Sequence, residues 1–137
     1  MSVVVLDASI AISWLFEDEA STVTDRLLER VRDEGAIVPG LWHLELGNVL
    51  LQAERRKRIG VDDVAVRLNL IADLPIVVDH ETTGRAWREI LFLARSVGLT
   101  TYDATYLELA LRRKASLLTK DSELVRAAKG FDIEVLP

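Results

Sequence analysis

Four acidic residues occupy positions from which a folded chain does chemistry. Asp7 ends the apolar run Val3-Val4-Val5-Leu6, and Asp121 follows Leu117-Leu118-Thr119-Lys120. Glu45 lies on a helical segment where Trp42, Leu46, Val49 and Ala53 recur at i, i+4, i+7 and i+11. It falls about 40° from Val49, on the flank of that stripe. Asp103 forms an i, i+4, i+7 row with Leu107 and Ala110. Each acid also has a local structural reading. Asp7 and Asp121 suit helix N-termini, although Ser9 can cap on its own and leave Asp7 free. Glu45 is long enough to reach the rim of a core, and Asp103 in a first turn complements the helix dipole while Thr100 or Thr101 caps. As a set they suggest more. Carboxylates gathered without a cation raise one another's pKa, whereas Mg²⁺ or Mn²⁺ takes such oxygen ligands and serves phosphate chemistry.

The rest of the composition narrows the choice. No cysteine is present, which excludes disulfide scaffolds, thiolate metal sites and cysteine nucleophiles. The two histidines, His43 and His80, are too few for a multi-histidine site and read as polar helix-end residues. Seventeen Lys+Arg against twenty-two Asp+Glu give a net charge of −5, so affinity for a polyanion must come from a local surface. No signal peptide is apparent and no run approaches the length of a membrane span, so a cytoplasmic protein without membrane contact is expected. The 137 residues suit a single domain, 1–137.

Positioning the acids requires a scaffold, and the hydrophobic pattern supplies one. Apolar runs at Val3–Leu6, Ala36–Val38, Ile76–Val78, Ala115–Leu118 and Ile133–Leu136 alternate with amphipathic segments. The segments are Ser9–Phe16, Ala20–Asp33, Leu41–Arg56, Val61–Ala72, His80–Val97, Tyr102–Arg113 and Asp121–Ala128. Such alternation predicts an α/β fold in which helices cover both faces of a parallel five-stranded sheet. Right-handed crossovers favour the order 3-2-1-4-5, whose crevice lies at the carboxyl ends of strands 1 and 4, beside Asp7 and Asp121.

The set Val-Val-Leu-Asp7-Ala-Ser9, Glu45 in Leu-Glu-Leu-Gly-Asn, Thr101-Tyr102-Asp103-Ala104-Thr105-Tyr106 and Leu-Leu-Thr119-Lys120-Asp121 resembles the PIN-domain ribonucleases. More narrowly, it resembles the VapC toxins of type II toxin–antitoxin systems. The resemblance runs along essentially the whole chain. It implies a three-layer α/β/α PIN-like fold, endonucleolytic cleavage of RNA with Mg²⁺ or Mn²⁺, neutralisation by a cognate antitoxin, and a homodimer. It also implies that Asp7, Glu45, Asp103 and Asp121 are the metal-binding catalytic acids, with Asp7 and Asp103 the firmest ligands. Ser9 and Thr119 match supporting hydroxyl positions, and Asn48, one turn after Glu45, could reach the same crevice.

Other features carry two readings each. Arg55-Arg56-Lys57-Arg58 is a solvated helix end or an RNA-backbone rim about three turns, on the order of 15 Å, from Glu45, and Arg112-Arg113-Lys114 is read alike. Trp14-Leu15-Phe16 is core, or an exposed patch on which an antitoxin segment docks. Trp87, with Ile90, Leu91 and Ala94, reads as core packing. Two other functions compete: a catalytically silent PIN-like binding domain, and aspartate-based phosphotransfer of phosphatase or receiver type. A phosphatase wants a second Asp where Ser9 stands; a receiver would use Asp79, after the third apolar run.

Overall fold

The computed structural model describes residues 3–137. Five strands, β1 (Val4–Leu6), β2 (Ala36–Pro39), β3 (Ile76–Asp79), β4 (Ser116–Leu118) and β5 (Val135–Leu136), form one sheet in the order β3-β2-β1-β4-β5. All four pairings are parallel, as the fully apolar central runs require. Register sets Val5 beside both Ile37 and Leu117, so β1 is the innermost strand and its three residues are wholly buried. Helices cover both faces, in agreement with the predicted layers and order.

The helices are α1 (Ala8–Leu15), α2 (Thr22–Glu34), α3 (Leu41–Arg55), α4 (Val61–Ala72), α5 (Thr82–Arg85), α6 (Leu91–Val97), α7 (Thr101–Arg113) and α8 (Ser122–Lys129). Ser21 caps α2 through the Thr24 amide, in a reciprocal box that fixes where the helix starts. At its end Gly35 has φ +79°, and a side chain there would meet the Pro75 carbonyl oxygen at 2.9 Å, so only glycine lets α2 turn closely into β2. On α3 the buried stripe is Trp42, Leu46, Leu50 and Ala53; Leu50 takes the slot expected for Val49. Among the described residues no helix is long and apolar enough to cross a membrane.

Three expectations about local structure change. The segment expected as one helix over His80–Val97 begins at Thr82, and a turn of π-helix (Ala86–Ile90) joins α5 to α6. A π-turn acts as a one-residue insertion and rotates the residues before it by about 100° relative to those after it. Trp87 therefore leaves the face it would share with Ile90 and Ala94 and is 90% exposed, whereas Ile90 and Ala94 stay buried. The core assignment of Trp87 is thereby corrected.

The proposed docking patch at Trp14-Leu15-Phe16 is corrected in the other direction. Leu15 and Phe16 are buried, and half-buried Trp14 donates its indole N–H to the Thr24 carbonyl. Arg58 lies 4.6 Å from the centre of the Phe16 ring and Arg67 5.2 Å, while Arg67 also donates to the Leu15 carbonyl. The α3–α4 connection and α4 thus cover what the short first helix alone cannot bury.

The third change concerns Arg112, expected in a solvated or RNA-facing basic end. It is instead the centre of a largely buried ion-pair cluster. Its guanidinium reaches Asp79 at 2.9 and 3.0 Å, Glu108 at 3.0 Å and Glu81 at 3.1 Å, and Arg85 reaches Glu108 at 2.7 Å. The cluster ties the end of edge strand β3 to α7. It also occupies the aspartate that a receiver-like phosphotransfer would need: Arg112 holds the Asp79 carboxyl below its usual range. Arg113 and Lys114 remain exposed.

Candidate active site

The chain path brings the four acids to one end of the sheet. Asp7 is the first residue after β1, and its backbone N–H donates to the Leu118 carbonyl at 2.9 Å, which clamps the ends of β1 and β4 together. Asp7 is also the N-cap position of α1, but its side chain makes no capping bond. Ser9, expected to be that cap, lies inside the helix and turns its hydroxyl onto Asp7 instead.

Two hydroxyls converge on the Asp7 Oδ2 atom: Ser9 donates at 2.6 Å and Thr119 at 2.8 Å. Each is itself an acceptor. Ser9 Oγ receives the Lys120 amide at 2.9 Å, and Thr119 Oγ1 receives the Asp121 amide at 3.0 Å. This closed hydrogen-bonded set fixes the β4–α8 turn against the β1–α1 turn. Asp121 then caps α8 by accepting from the Leu124 amide at 3.0 Å. The structural reading of that residue is therefore correct, and its carboxylate stays within electrostatic reach of Asp7.

The other two acids come from helices. Thr100 caps α7 by accepting from the Asp103 amide at 3.1 Å, so Asp103 sits in the first turn. Glu45, one turn into α3, accepts from the buried phenol of Tyr106 at 2.5 Å. The charges act on one another. Burial pushes the Asp7 carboxyl up, against the pull of Ser9 and Thr119, and the Asp121 charge adds to the rise. Burial also raises Glu45 and Asp103; Asp7 and Asp103 press on Glu45, and Asp121 and Asp7 press on Asp103. Four elements thus place four carboxylates in one electrostatic neighbourhood.

Sequence reasoning missed two members of this neighbourhood. Tyr106 belongs to the quoted Thr-Tyr-Asp-Ala-Thr-Tyr segment, and its i+3 spacing from Asp103 was the available signal. Glu123, in the first turn of α8, adds a fifth negative charge near Asp103. Asn48 and the basic residues Arg55, Arg56, Lys57 and Arg58 all lie at the surface. Asn48 is exposed and makes no side-chain hydrogen bond among the described residues. Arg58 is paired with Asp18 at 3.2 Å and stacked on Phe16. Lys57 takes φ +61° just past the end of α3, which leaves Arg55, Arg56 and Lys57 exposed on the turn. His43 and His80 are exposed.

The donor set suits a hard divalent cation: it offers oxygen alone, and burial together with neighbouring negative charge raises Asp7, Glu45 and Asp103, which a cation would offset. As the side chains stand, no three acidic or imidazole groups among the described residues are arranged to hold one ion. Ion-free protein should therefore be stabilised by acid. Raised folded-state pKa values mean that the native state binds protons before the unfolded chain does, so stability falls as pH rises through that window. Asp79, whose pKa is lowered, works oppositely and loses its contribution only below the ordinary carboxylate value. In EDTA the melting temperature should rise as pH is lowered towards the ordinary carboxylate value and do so less in Asp103→Asn; a flat or falling profile in the parent contradicts the raised acids.

The PIN domain family model matches residues 4–130, a span that contains all four acids. No curated protein matches the chain. Among solved structures, PAE2754 from Pyrobaculum aerophilum superposes with a TM-score of 0.71 at 24% identity, covering 98% of this chain and 83% of its own. VapBC2 from Rickettsia felis, solved bound to a DNA fragment from its promoter, gives 0.66 at 12% identity over 97% and 96%. FitAcB from Neisseria gonorrhoeae gives 0.58 at 16% identity over 98% and 96%. At these identities the structural likeness establishes a shared fold.

Proposed function

The chain belongs to the PIN domain family, and from that premise we propose that it is a metal-dependent endoribonuclease acting as the toxin of a type II toxin–antitoxin module. The observation that carries this reading is that Asp7, Glu45, Asp103 and Asp121 come from four elements to the carboxyl end of a parallel sheet, where burial and then neighbouring carboxylate charge raise Asp7, Glu45 and Asp103. Residues 1–137 form a single PIN domain in this reading. The fold shared with VapBC2 and FitAcB supports a cognate antitoxin as partner, and a homodimer and a cytoplasmic location complete the proposal.

The four acids would hold Mg²⁺ or Mn²⁺. The chemistry such an ion supplies, when bound, is neutralisation of phosphate charge and acidification of water. The protein's part is placement. Ser9 and Thr119 restrain the Asp7 carboxylate, the Asp121 side chain is set by its cap to α8, and the Thr100 cap sets the first turn that carries Asp103. Exposed Arg55, Arg56 and Lys57 offer contacts to RNA phosphates away from the acids.

Incubation of the protein with total RNA in Mn²⁺ or in EDTA, with end-group analysis of the products, tests the proposal. Ion-dependent cleavage that leaves 5′-phosphate and 3′-hydroxyl ends is the expected result. Cyclic phosphate ends would refute hydrolysis by water, and RNA binding without cleavage would establish the catalytically silent alternative.

A further inference from the structure

Tyr106 lies where three of the acid-bearing elements meet. It shares a face of α7 with Asp103, three residues earlier, and is wholly buried. Its hydroxyl donates to Glu45 Oε1, on α3, across 61 residues of sequence. The Asp7 carboxylate, at the start of α1, is close enough for its charge to act on the same phenol. Glu45 Oε2 has no protein partner among the described residues. A half-buried glutamate on a helix flank has several rotamers open to it, and a single fixed donor on one oxygen selects among them.

We propose that Tyr106 is a positioning residue of this site: its hydroxyl holds Glu45 by one carboxylate oxygen and leaves the other oxygen to the divalent cation. The inference rests on the ribonuclease reading for the identity of that ion, but the Tyr106–Glu45 linkage is a property of the ion-free protein. A tyrosine whose ring merely filled the core would do its work equally well as phenylalanine. The hydroxyl is the part in question.

Tyr106→Phe keeps the ring and removes that hydroxyl. Loss of a partner that orients a metal ligand characteristically costs about 10- to 100-fold in metal affinity or activity. Mn²⁺ affinity, measured by electron paramagnetic resonance of the free ion, should therefore weaken by about that factor in Tyr106→Phe. It should weaken no further when Tyr106→Phe is added to Glu45→Gln, because the effect passes through Glu45. In ion-free protein, NMR relaxation should find the Glu45 side-chain carbons more mobile in the variant. In the parent, the Tyr106 hydroxyl proton should exchange slowly enough to be observed, a measurement that stands even if the variant fails to fold. Equal Mn²⁺ affinity in parent and variant, additive losses in the double variant, unchanged Glu45 mobility, or a rapidly exchanging hydroxyl proton would each overturn the inference. A parent that neither binds Mn²⁺ nor cuts RNA, yet shows the slow hydroxyl proton and the mobility difference, would instead refute the ribonuclease reading and leave the linkage standing.

Discussion

Asp7→Asn is expected to lower RNA cleavage by about 10³-fold while the protein stays folded. Metal-assisted charge stabilisation is worth several kcal/mol, and each 1.4 kcal/mol is about a factor of ten in rate. The folded state should tolerate the change because the asparagine carbonyl can still accept from Ser9 and Thr119 as Asp7 Oδ2 does. The ion-free variant should even gain stability, since a carboxyl that burial holds high is replaced by a neutral group. Thermal unfolding gives the companion measurement. Saturating Mn²⁺ should stabilise the parent by mass action, about 2.7 kcal/mol at a hundred times the dissociation constant, and the variant much less. Full activity in Asp7→Asn would remove Asp7 from the site, and undiminished Mn²⁺ stabilisation would place the ion elsewhere.

The second large effect is on stability and lies away from the acids. Arg112→Ala should cost about 3 kcal/mol, because it leaves Asp79 and Glu108 buried beside one another with Arg85 alone to balance them. Arg112→Lys should recover only part of this, since an ammonium cannot reproduce the forked contact with both Asp79 oxygens. Urea denaturation of the three proteins is the measurement, with the midpoint falling in the order parent, Lys, Ala. Midpoints within experimental error of one another would show that the cluster contributes geometry without net stability.

Where the sequence was informative, the signal was local. Short apolar runs with an acid at or shortly after their ends located β1 and β4 and their crevice, because a strand buried on both faces is largely apolar. Asp103 and Glu45 were visible as charges beside apolar stripes. What stayed hidden depended on partners distant in sequence. Nothing near Arg112 announces Asp79, 33 residues earlier, and nothing near Glu45 announces Tyr106. Trp87 misled for a different reason. Its spacing to Ile90, Leu91 and Ala94 is good helical periodicity, and one widened turn rotates it to the outside without a proline or any other mark in the sequence.

The hydroxyl bonds that join the turn after β4 to the turn after β1 also set a schedule. Thr119 is 112 positions from the carboxylate it restrains. A ribosome must therefore have carried synthesis past Asp121 before this constellation exists at all, and closing so long a loop comes late in folding. A growing chain that has reached only α3 carries Asp7 and Glu45 with nothing to complete them. Through most of that synthesis, the chain holds only part of the set of acids.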